Sequence, residues 1–458
     1  MKKTLNNNEA SCCEGLLTLD EGKQAILEMK TNKAPGLSGL TIEFYQTFWP
    51  KIGELVIKSL NVGYMKGELS SLQKQSVISL LYKKGDSNNL ENWRPISLLN
   101  TDYKIGTRIL AKRLQIILPK IISMDQQGYL KNRNICFNIR QIQDIIDYAE
   151  YFQIEASILF LDFRKAFDTV DRTFMIAVLK HFGFKESFIS WIKTIYFNSS
   201  ACILNKGFRS DFVALERGIR QGCPISALLF ILVAEVMALN IKSNPLINGI
   251  SIKTKNSVKR IKITQLADDT TLFFGSTLEI EIALDEIENF GKHSGLKLNR
   301  QKTEGLWVGN HISRDKKIGN INWSNGPIKA LGIYFGQNKQ ECIRFNWEDK
   351  IKNVENIIKN WLKRNLIFFG KIKIIKTLIL SKLVYLAQSI TVPNDIIKTI
   401  DSLIYNFLWH GKREKIKRST LIGQTEYGGI EMCDTQSFFK SLKFKWIKKL
   451  IDKTEANW

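Results

Sequence analysis

Two carboxylates stand side by side at Asp268 and Asp269, between the runs Ile263–Leu266 and Thr270–Phe274. The flanks are rich in β-formers, so the pattern predicts a strand, a tight turn carrying both acids, and a returning strand. Adjacent like charges near a sheet repel, and a bound divalent cation is the simplest compensation. A solvated hairpin tip has the same local sequence. A further acid, Asp162, closes the continuous apolar run Ala156–Leu161 far upstream. If the two strands are neighbours, Asp162 and Asp268 offer hard oxygen ligands suited to magnesium, which takes its remaining ligands from water and substrate phosphates. Two such ions a few ångström apart activate an attacking hydroxyl and neutralise charge on a leaving oxygen, which is the chemistry of nucleotidyl transfer.

Other residues have types that would support this chemistry. Arg94 could hold a triphosphate through its planar fork and Lys83 as a point charge; each alone also reads as a solvated surface cation. Gln221-Gly222 lets backbone approach a nucleotide closely, with the Gln amide as a probe of sugar or base; a turn leading into a helix needs the same glycine. Phe167 suits either a core position or a bulky ring that would collide with a ribose 2′-hydroxyl. Lys302 could protonate a pyrophosphate leaving group or stand in solvent.

These residues must be positioned by a mixed set of elements. A helix is expected from Leu19 to Lys30, then helices Ile42–Trp49 and Ile52–Leu60 separated by Pro50. Val77–Tyr82 reads as a strand before the turn Lys83-Lys84-Gly85-Asp86, and Ile96–Leu99 as a short one. Helices follow over Tyr103–Leu118, ending at Pro119, and over Phe137–Tyr148, with Asp125–Tyr129 as a loop between them. Ala156–Leu161 is a strand covered on both faces. One helix stripe through Phe167, Val170, Phe174, Val178 and Phe182 stops at Gly183. A second helix covers Phe188–Tyr196, and Arg217–Pro224 is a glycine-punctuated turn before the apolar helix Ser226–Leu239. Beyond the acid hairpin come a helix at Leu278–Phe290, a short strand at Leu296–Leu298 and a β-like segment at Leu331–Phe335. From residue 345 onward, basic helical faces interleave with Trp361, Phe368 and Phe369.

The 458 residues suffice for two or three domains, and 44% hydrophobic content reads as globular. A net charge of +23 suits a polyanion, and nucleic acid fits better than a membrane surface because no amphipathic anchor stands out. The seven cysteines include no C-x-x-C pair, and the four histidines do not cluster with them, so neither a zinc knuckle nor a disulfide framework is indicated. A reducing, intracellular compartment fits. The N-terminus lacks a signal-peptide core, and the apolar run at 225–241, interrupted by Glu235, reads as a buried helix.

Taken together and in order, the motifs resemble those of LINE-type (non-LTR) retrotransposon reverse transcriptases. They are Ala34-Pro35-Gly36, Asn92–Leu98, Leu161–Asp168, Arg220–Pro224, Ala267-Asp268-Asp269, Ser294–Asn299 with Lys302, and Leu331-Gly332-Ile333. The likeness covers about residues 16–430. It implies an α+β fold with the right-hand polymerase architecture of fingers, antiparallel-sheet palm and helical thumb. The implied division is a loose leader over 1–15, an N-terminal extension and fingers over 16–155, and a palm over 156–340. A basic helical thumb and C-terminal region, truncated relative to the family, occupies 341–458.

The resemblance also implies roles. Asp162, the Phe163 main-chain carbonyl, Asp268 and Asp269 match the metal-binding positions for two Mg²⁺, with Mn²⁺ as a substitute. Lys83 and Arg94 match triphosphate positions, Phe167 the sugar gate, Gln221 and Gly222 the nucleotide and template contact, and Lys302 the proton donor. Leu331, Gly332 and Ile333 match the primer grip. The implied partners are an RNA template, a DNA primer or target, and dNTPs; the implied compartment is the nucleus. Leu266 replaces the family's aromatic before the acid pair, Ser38 a usual Asp, and Ala227 a frequent proline. No endonuclease-sized region precedes residue 16, so a separate endonuclease activity is expected, from missing sequence or another protein, if target nicking occurs at all. An inactive RNA-binding remnant and a maturase-like RNA scaffold are the competing readings.

Overall fold

The computed structural model describes residues 4–253, 258–310 and 317–451, and these form two compact units. The first draws on residues 1–133, 159–303 and 317–321; the second draws on 134–158, 304–316 and 322–458.

Ten strands bear on the first unit. They are β1 (Gln75–Tyr82), β2 (Trp93–Leu99), β3 (Glu155–Leu161), β4 (Ser200–Asn205), β5 (Phe208–Arg209), β6 (Val213–Ala214), β7 (Ile250–Lys253), β8 (Val258–Ile261), β9 (Ile263–Leu266) and β10 (Asp269–Phe274). One sheet pairs β1 antiparallel with β2 and parallel with β4, while β5 and β6 return along β4. Its register sets Leu81 opposite Arg94, so Arg94 lies at the same end of the hairpin as Lys83. In another sheet β10 lies between β9 and β3. Six of the seven β3 residues are buried, as a continuous apolar run requires. β7 and β8 form a separate antiparallel pair.

Helices pack around these sheets, and three depart from the sequence expectation. Ile42–Lys66 is one helix that runs through Pro50. Tyr45, Trp49 and Gly53 are buried on it, and this packing outweighs the one backbone hydrogen bond that Pro50 removes. Thr101–Ile121 likewise continues past Pro119. The stripe from Phe167 to Phe182 is two helices, Ala166–Thr169 and Arg172–His181, with Val170 extended between them. The cause is visible in the hydrogen bonds. The carbonyls of Phe167 and Val170 accept from Ile219 and Gly218 N–H, at 2.8 and 2.9 Å, instead of from residues further along a helix. The Asp171 side chain then caps the new helix through Phe174 N–H at 2.8 Å.

The apolar helix Ser226–Ser243 is largely buried among its neighbours, in line with its nearly uniform hydrophobicity. Residues 4–15, expected to be loose, are packed. Leu5 N–H donates to Phe182 O, Asn7–Ser11 forms a capped turn of helix, and Cys13 is fully buried. Arg113 explains much of this order. Its guanidinium pairs with Glu21 and donates to the carbonyls of Glu14, Gly15 and Leu16.

In the second unit β11 (Glu304–Gly309) runs parallel to β12 (Asn322–Ser324), and β13 (Ile328–Ala330) forms a hairpin with β14 (Ile333–Phe335). The expected strand at 331–335 is therefore shorter. Leu331 and Gly332, both at positive φ (50° and 75°), make its two-residue turn. The helices Lys339–Leu362, Phe368–Ile374, Ser381–Ser389, Asn394–Trp409 and Thr435–Ile451 surround a core that includes Trp347, Ile375, Leu383, Ile404 and Phe407. The expected basic stretch beyond Lys440 is helical to Ile451, and its last seven positions lie outside the described residues.

Candidate active site

Asp162 leaves the end of β3 and is held by the loop at 297–303. Its carbonyl accepts from Asn299 N–H at 2.7 Å, and its N–H donates to Thr303 Oγ1 at 3.2 Å. The Asn299 side-chain amide donates to Asp162 Oδ2 at 2.9 Å, which fixes the carboxylate's rotation. The strand expected at 296–298 is here a single antiparallel bridge between Phe163 and Leu298.

The acid pair sits where expected, on the β9–β10 hairpin. Asp269 pairs with Leu266, which leaves Ala267-Asp268 as a two-residue turn. Ala267 has φ +57°, a left-handed conformation that costs a residue with a Cβ about 1–2 kcal/mol. Gln126, fully buried, holds the turn there. Its Oε1 accepts from the N–H of Ala267 at 2.7 Å and of Gly128 at 2.8 Å, and its Nε2 donates to Ala267 O at 3.3 Å. Backbone bonds from Gln127 N–H to Gln265 O and from Gln265 N–H to Asp125 O, both 2.8 Å, continue the attachment.

Asp162, Asp268 and Asp269 line one cavity of about 550 Å³, together with Lys83, Arg94, Phe163, Phe167, Gln221 and Gly222. Ten of the thirteen residues singled out from sequence are Asp162, Phe163, Phe167, Gln221, Gly222, Asp268, Asp269, Lys83, Arg94 and Lys302, and all but Lys302 meet in this cavity. Lys302 is exposed on the loop that holds Asp162, with its N–H donating to Asn299 O at 3.1 Å. Leu331, Gly332 and Ile333 belong to the second unit, where the Tyr385 hydroxyl donates to Leu331 O.

The charges in the cavity are tense. Enclosure by the cavity wall, then the neighbouring Asp268 and Asp162 carboxylates, pushes the Asp269 pKa up to about 6. Burial likewise raises that of Asp268, and Asp162 adds to this, while Arg94 and Lys83 act against it. Tyr129, also on the cavity wall, is raised by burial and by the same acids. These mutual effects require the three carboxylates to be near one another.

Phe167 is both packed and open to the cavity. One face stacks on Phe230 at 4.6 Å between centroids and 11° between planes, and the ring still borders the cavity. At Gly222 the backbone makes the glycine necessary. It has φ +113°, and a Cβ would stand 2.6 Å from Ser97 O. Ser97 N–H donates in turn to Gln221 O at 2.8 Å, docking this turn on β2. Arg220, nearly buried, donates to the carbonyls of Lys74 and Ile195 and lies 4.3 Å from the Tyr103 ring centroid.

Of the residues that departed from the family's pattern, Ala227 borders the cavity, Leu266 flanks the acid turn, and Ser38 N–H donates to Asn100 Oδ1 at 2.9 Å. No role was read from sequence for Gln126, Asn299, Thr303, Tyr129 or Phe230, because each meets the site through partners far away in the chain. The run Asp125–Tyr129 carried the one usable signal, two adjacent amides before a glycine.

Among the described residues no group of three or more His, Cys, Asp or Glu side chains closes around a metal ion by itself. The donor set nonetheless suits a hard cation. Asp162, Asp268 and Asp269 are carboxylates crowded on an open cavity whose mutual repulsion a cation would relieve.

Acids from two strands thus meet on one cavity of an α+β chain, beside a glycine-bearing turn. Residues 81–335 match the family described as reverse transcriptase (RNA-dependent DNA polymerase), and the chain belongs to that family, in its LINE-type (non-LTR) branch. It is 32% identical over 401 residues to the "Transposon TX1 uncharacterized 149 kDa protein" of Xenopus laevis, covering 86% of this chain and 30% of that protein. It is 27% identical to the "Retrovirus-related Pol polyprotein from type-1 retrotransposable element R2" of Popillia japonica, over 60% of this chain and 37% of that one. The "RNA-directed DNA polymerase from mobile element jockey" of Drosophila funebris is 22% identical, over 81% and 41% respectively. The chain thus spans between 30% and 41% of the length of these relatives. The resemblance read from the motifs is borne out, and with it the α+β polymerase fold.

Proposed function

We propose that this chain is an RNA-directed DNA polymerase that joins dNTPs to a primer 3′-hydroxyl on an RNA template. The observation that carries the reading is the meeting of Asp162, Asp268 and Asp269 in one cavity with Lys83 and Arg94. In this reading Asp162, Asp268, Asp269 and the Phe163 carbonyl hold two Mg²⁺. Bound there, they would supply Lewis acidity for the primer hydroxyl and charge compensation for the pyrophosphate.

The chain's own residues do the rest. Lys83 and Arg94 receive the triphosphate, Arg94 through its fork. Gln221 and Gly222 support the nucleotide from the turn docked on β2. The Phe167 ring, fixed by Phe230, stands against a ribose 2′-hydroxyl. Lys302 supplies a proton to pyrophosphate from the exposed loop. Leu331, Gly332 and Ile333 act as the primer grip. Residues 16–155 contribute fingers, 156–340 the palm and 341–458 the thumb. The basic surface engages template and primer phosphates.

The test is dNTP incorporation on a primed RNA template with Mg²⁺, comparing the wild-type chain with Asp268→Ala. Synthesis by the wild type alone is the expected result. Equal synthesis by both refutes the site, and RNA binding without incorporation by either marks a non-catalytic remnant.

A further inference from the structure

We propose that the segment Lys412–Arg418 is a nuclear-import signal, a basic stretch of chain that docks as an extended peptide in an acidic, aromatic-lined groove of a carrier protein. The inference goes beyond the polymerase reading and does not depend on it.

The segment joins the helices Asn394–Trp409 and Arg418–Ile422. It reads Lys412-Arg413-Glu414-Lys415-Ile416-Lys417-Arg418, and Glu414 is the only acid between Asp401 and Glu426. Every residue from Gly411 to Thr420 is exposed. Arg418 is already engaged. Its guanidinium lies 3.9 Å from the Tyr405 ring centroid and pairs with Glu414 at 2.6 Å. Among the described residues, the side chains of Lys412, Arg413, Lys415 and Lys417 have no hydrogen-bond or ion-pair partner. Cations this close repel one another, and an anionic surface would relieve them.

The main chain is as open as the side chains. Lys412 N–H donates to Trp409 O at 3.1 Å, and Lys417 O accepts from Thr420 N–H at 3.1 Å, which fixes the two ends. Between them, neither the N–H nor the carbonyl of Arg413, Glu414, Lys415 or Ile416 bonds to any described residue. A stretch with anchored ends and free main-chain groups loses less freedom on docking than a loose tail would.

This combination favours a protein over a nucleic acid. Phosphate oxygens can accept from the cations and the N–H groups, but they have nothing to donate to the free carbonyls. Surfaces that hold single strands also set aromatic faces beside their cations. Such pairs exist elsewhere in this unit, Arg364 on Trp361 at 4.6 Å and Lys449 on Phe137 at 4.1 Å, whereas no residue from 411 to 420 is aromatic. A protein groove supplies what the segment lacks: carboxylates for the charged heads, ring faces for the lysine stems and side-chain amides for the main chain. Short runs this dense in lysine and arginine are what import carriers read.

The experiment fuses the full chain to a fluorescent protein, making a cargo too large to diffuse through nuclear pores, and reads the nuclear-to-cytoplasmic ratio in cultured animal cells. It compares the wild type, a triple variant (Lys412→Ala, Arg413→Ala, Lys415→Ala) and a control (Lys23→Ala, Lys51→Ala, Lys58→Ala) that removes the same charge from exposed lysines elsewhere. Wild type and control should concentrate in the nucleus, and the triple variant's ratio should fall by about tenfold, the worth of three lost cation contacts. Binding of the purified proteins to a single-stranded RNA should differ by less than about twofold, which also shows that the triple variant folds. A triple variant that stays nuclear, or a wild type that stays cytoplasmic, overturns the inference. So does a control that leaves the nucleus equally. A triple variant that loses RNA binding along with its nuclear signal overturns it too, and makes the segment a nucleic-acid surface. Primer extension enters none of these readouts, so the polymerase reading is tested separately.

Discussion

The side chain of Gln126 grips the peptide on both sides of Ala267, accepting from its N–H at 2.7 Å and donating to its carbonyl at 3.3 Å. Ala267 precedes the acid pair directly, so a buried amide 141 positions upstream fixes where Asp268 begins. The turn would otherwise relax from its left-handed backbone, and the carboxylates would move with it.

Gln126→Ala should therefore reduce both stability and synthesis. It leaves the N–H groups of Ala267 and Gly128 buried without their acceptor, a loss of about 2–4 kcal/mol if each costs about 1–2. Denaturant unfolding gives the first quantity and single-nucleotide incorporation the second. A stable variant with unchanged kcat would show that the turn holds its shape without Gln126.

Crowded carboxylates predict a trade between stability and metal use. In EDTA, Asp269→Asn should melt higher than the wild type, because it removes one of three repelling charges. Adding Mg²⁺ should raise the melting temperature of the wild type more than that of the variant, through binding to the folded state alone. Thermal melts with and without Mg²⁺ check both signs; equal shifts in the two proteins would separate Asp269 from metal binding.

Phe167 is braced by Phe230, and the brace predicts two different variants with one outcome. Phe167→Val should raise use of ribonucleotides relative to deoxyribonucleotides by about tenfold or more, because the ring no longer meets the 2′-hydroxyl. Phe230→Leu should move the same ratio by less, since it loosens the ring without removing it. The readout is the ratio of kcat/KM for a dNTP and the matching rNTP. An unchanged ratio in Phe167→Val leaves Phe167 as a core residue.

Glu235 provides a pH dependence remote from this chemistry. It is buried in the helix Ser226–Ser243 with Oε2 accepting from Ser123 Oγ at 3.1 Å, and burial pushes its pKa up to about 7. The folded protein then holds a proton that the unfolded chain releases near 4.5, so stability is greatest at low pH and falls as pH rises through 7. Glu235→Gln lacks this loss. It should match the wild type near pH 5 and exceed it at pH 8 by about 2–3 kcal/mol, from the size of the shift. Unfolding at the two pH values tests the sign, and a gap that narrows toward pH 8 would contradict it.

The residue types of the candidate site were readable because each is local. An acid closing an apolar strand, an acid pair between β-formers and a glycine beside a glutamine all announce themselves within a few positions. The strand β3, the β9–β10 hairpin and the apolar helix Ser226–Ser243 follow from periodicity alone. Elements interrupted by distant contacts were not readable. The stripe from Phe167 to Phe182 has good helical spacing, yet Gly218 and Ile219 capture its carbonyls and break it. Pro50 marks a break that tertiary packing overrides. The order of residues 4–15 comes from Phe182, Lys120 and Arg113, which adjoin that segment only in the folded chain.

Sequence by itself determined the inventory of this protein: the carboxylates, the cations Lys83 and Arg94, the bulky ring of Phe167 and the ordered motifs of its family. Tertiary structure decided that Asp162 and Asp268 share a cavity, that Asn299 and Gln126 hold them, and that the amide of Gln221 donates to Asp168. The physical reason is range. Propensity and periodicity act over a few residues, whereas a carboxylate's surroundings are set by whichever side chains the fold brings to within hydrogen-bonding distance.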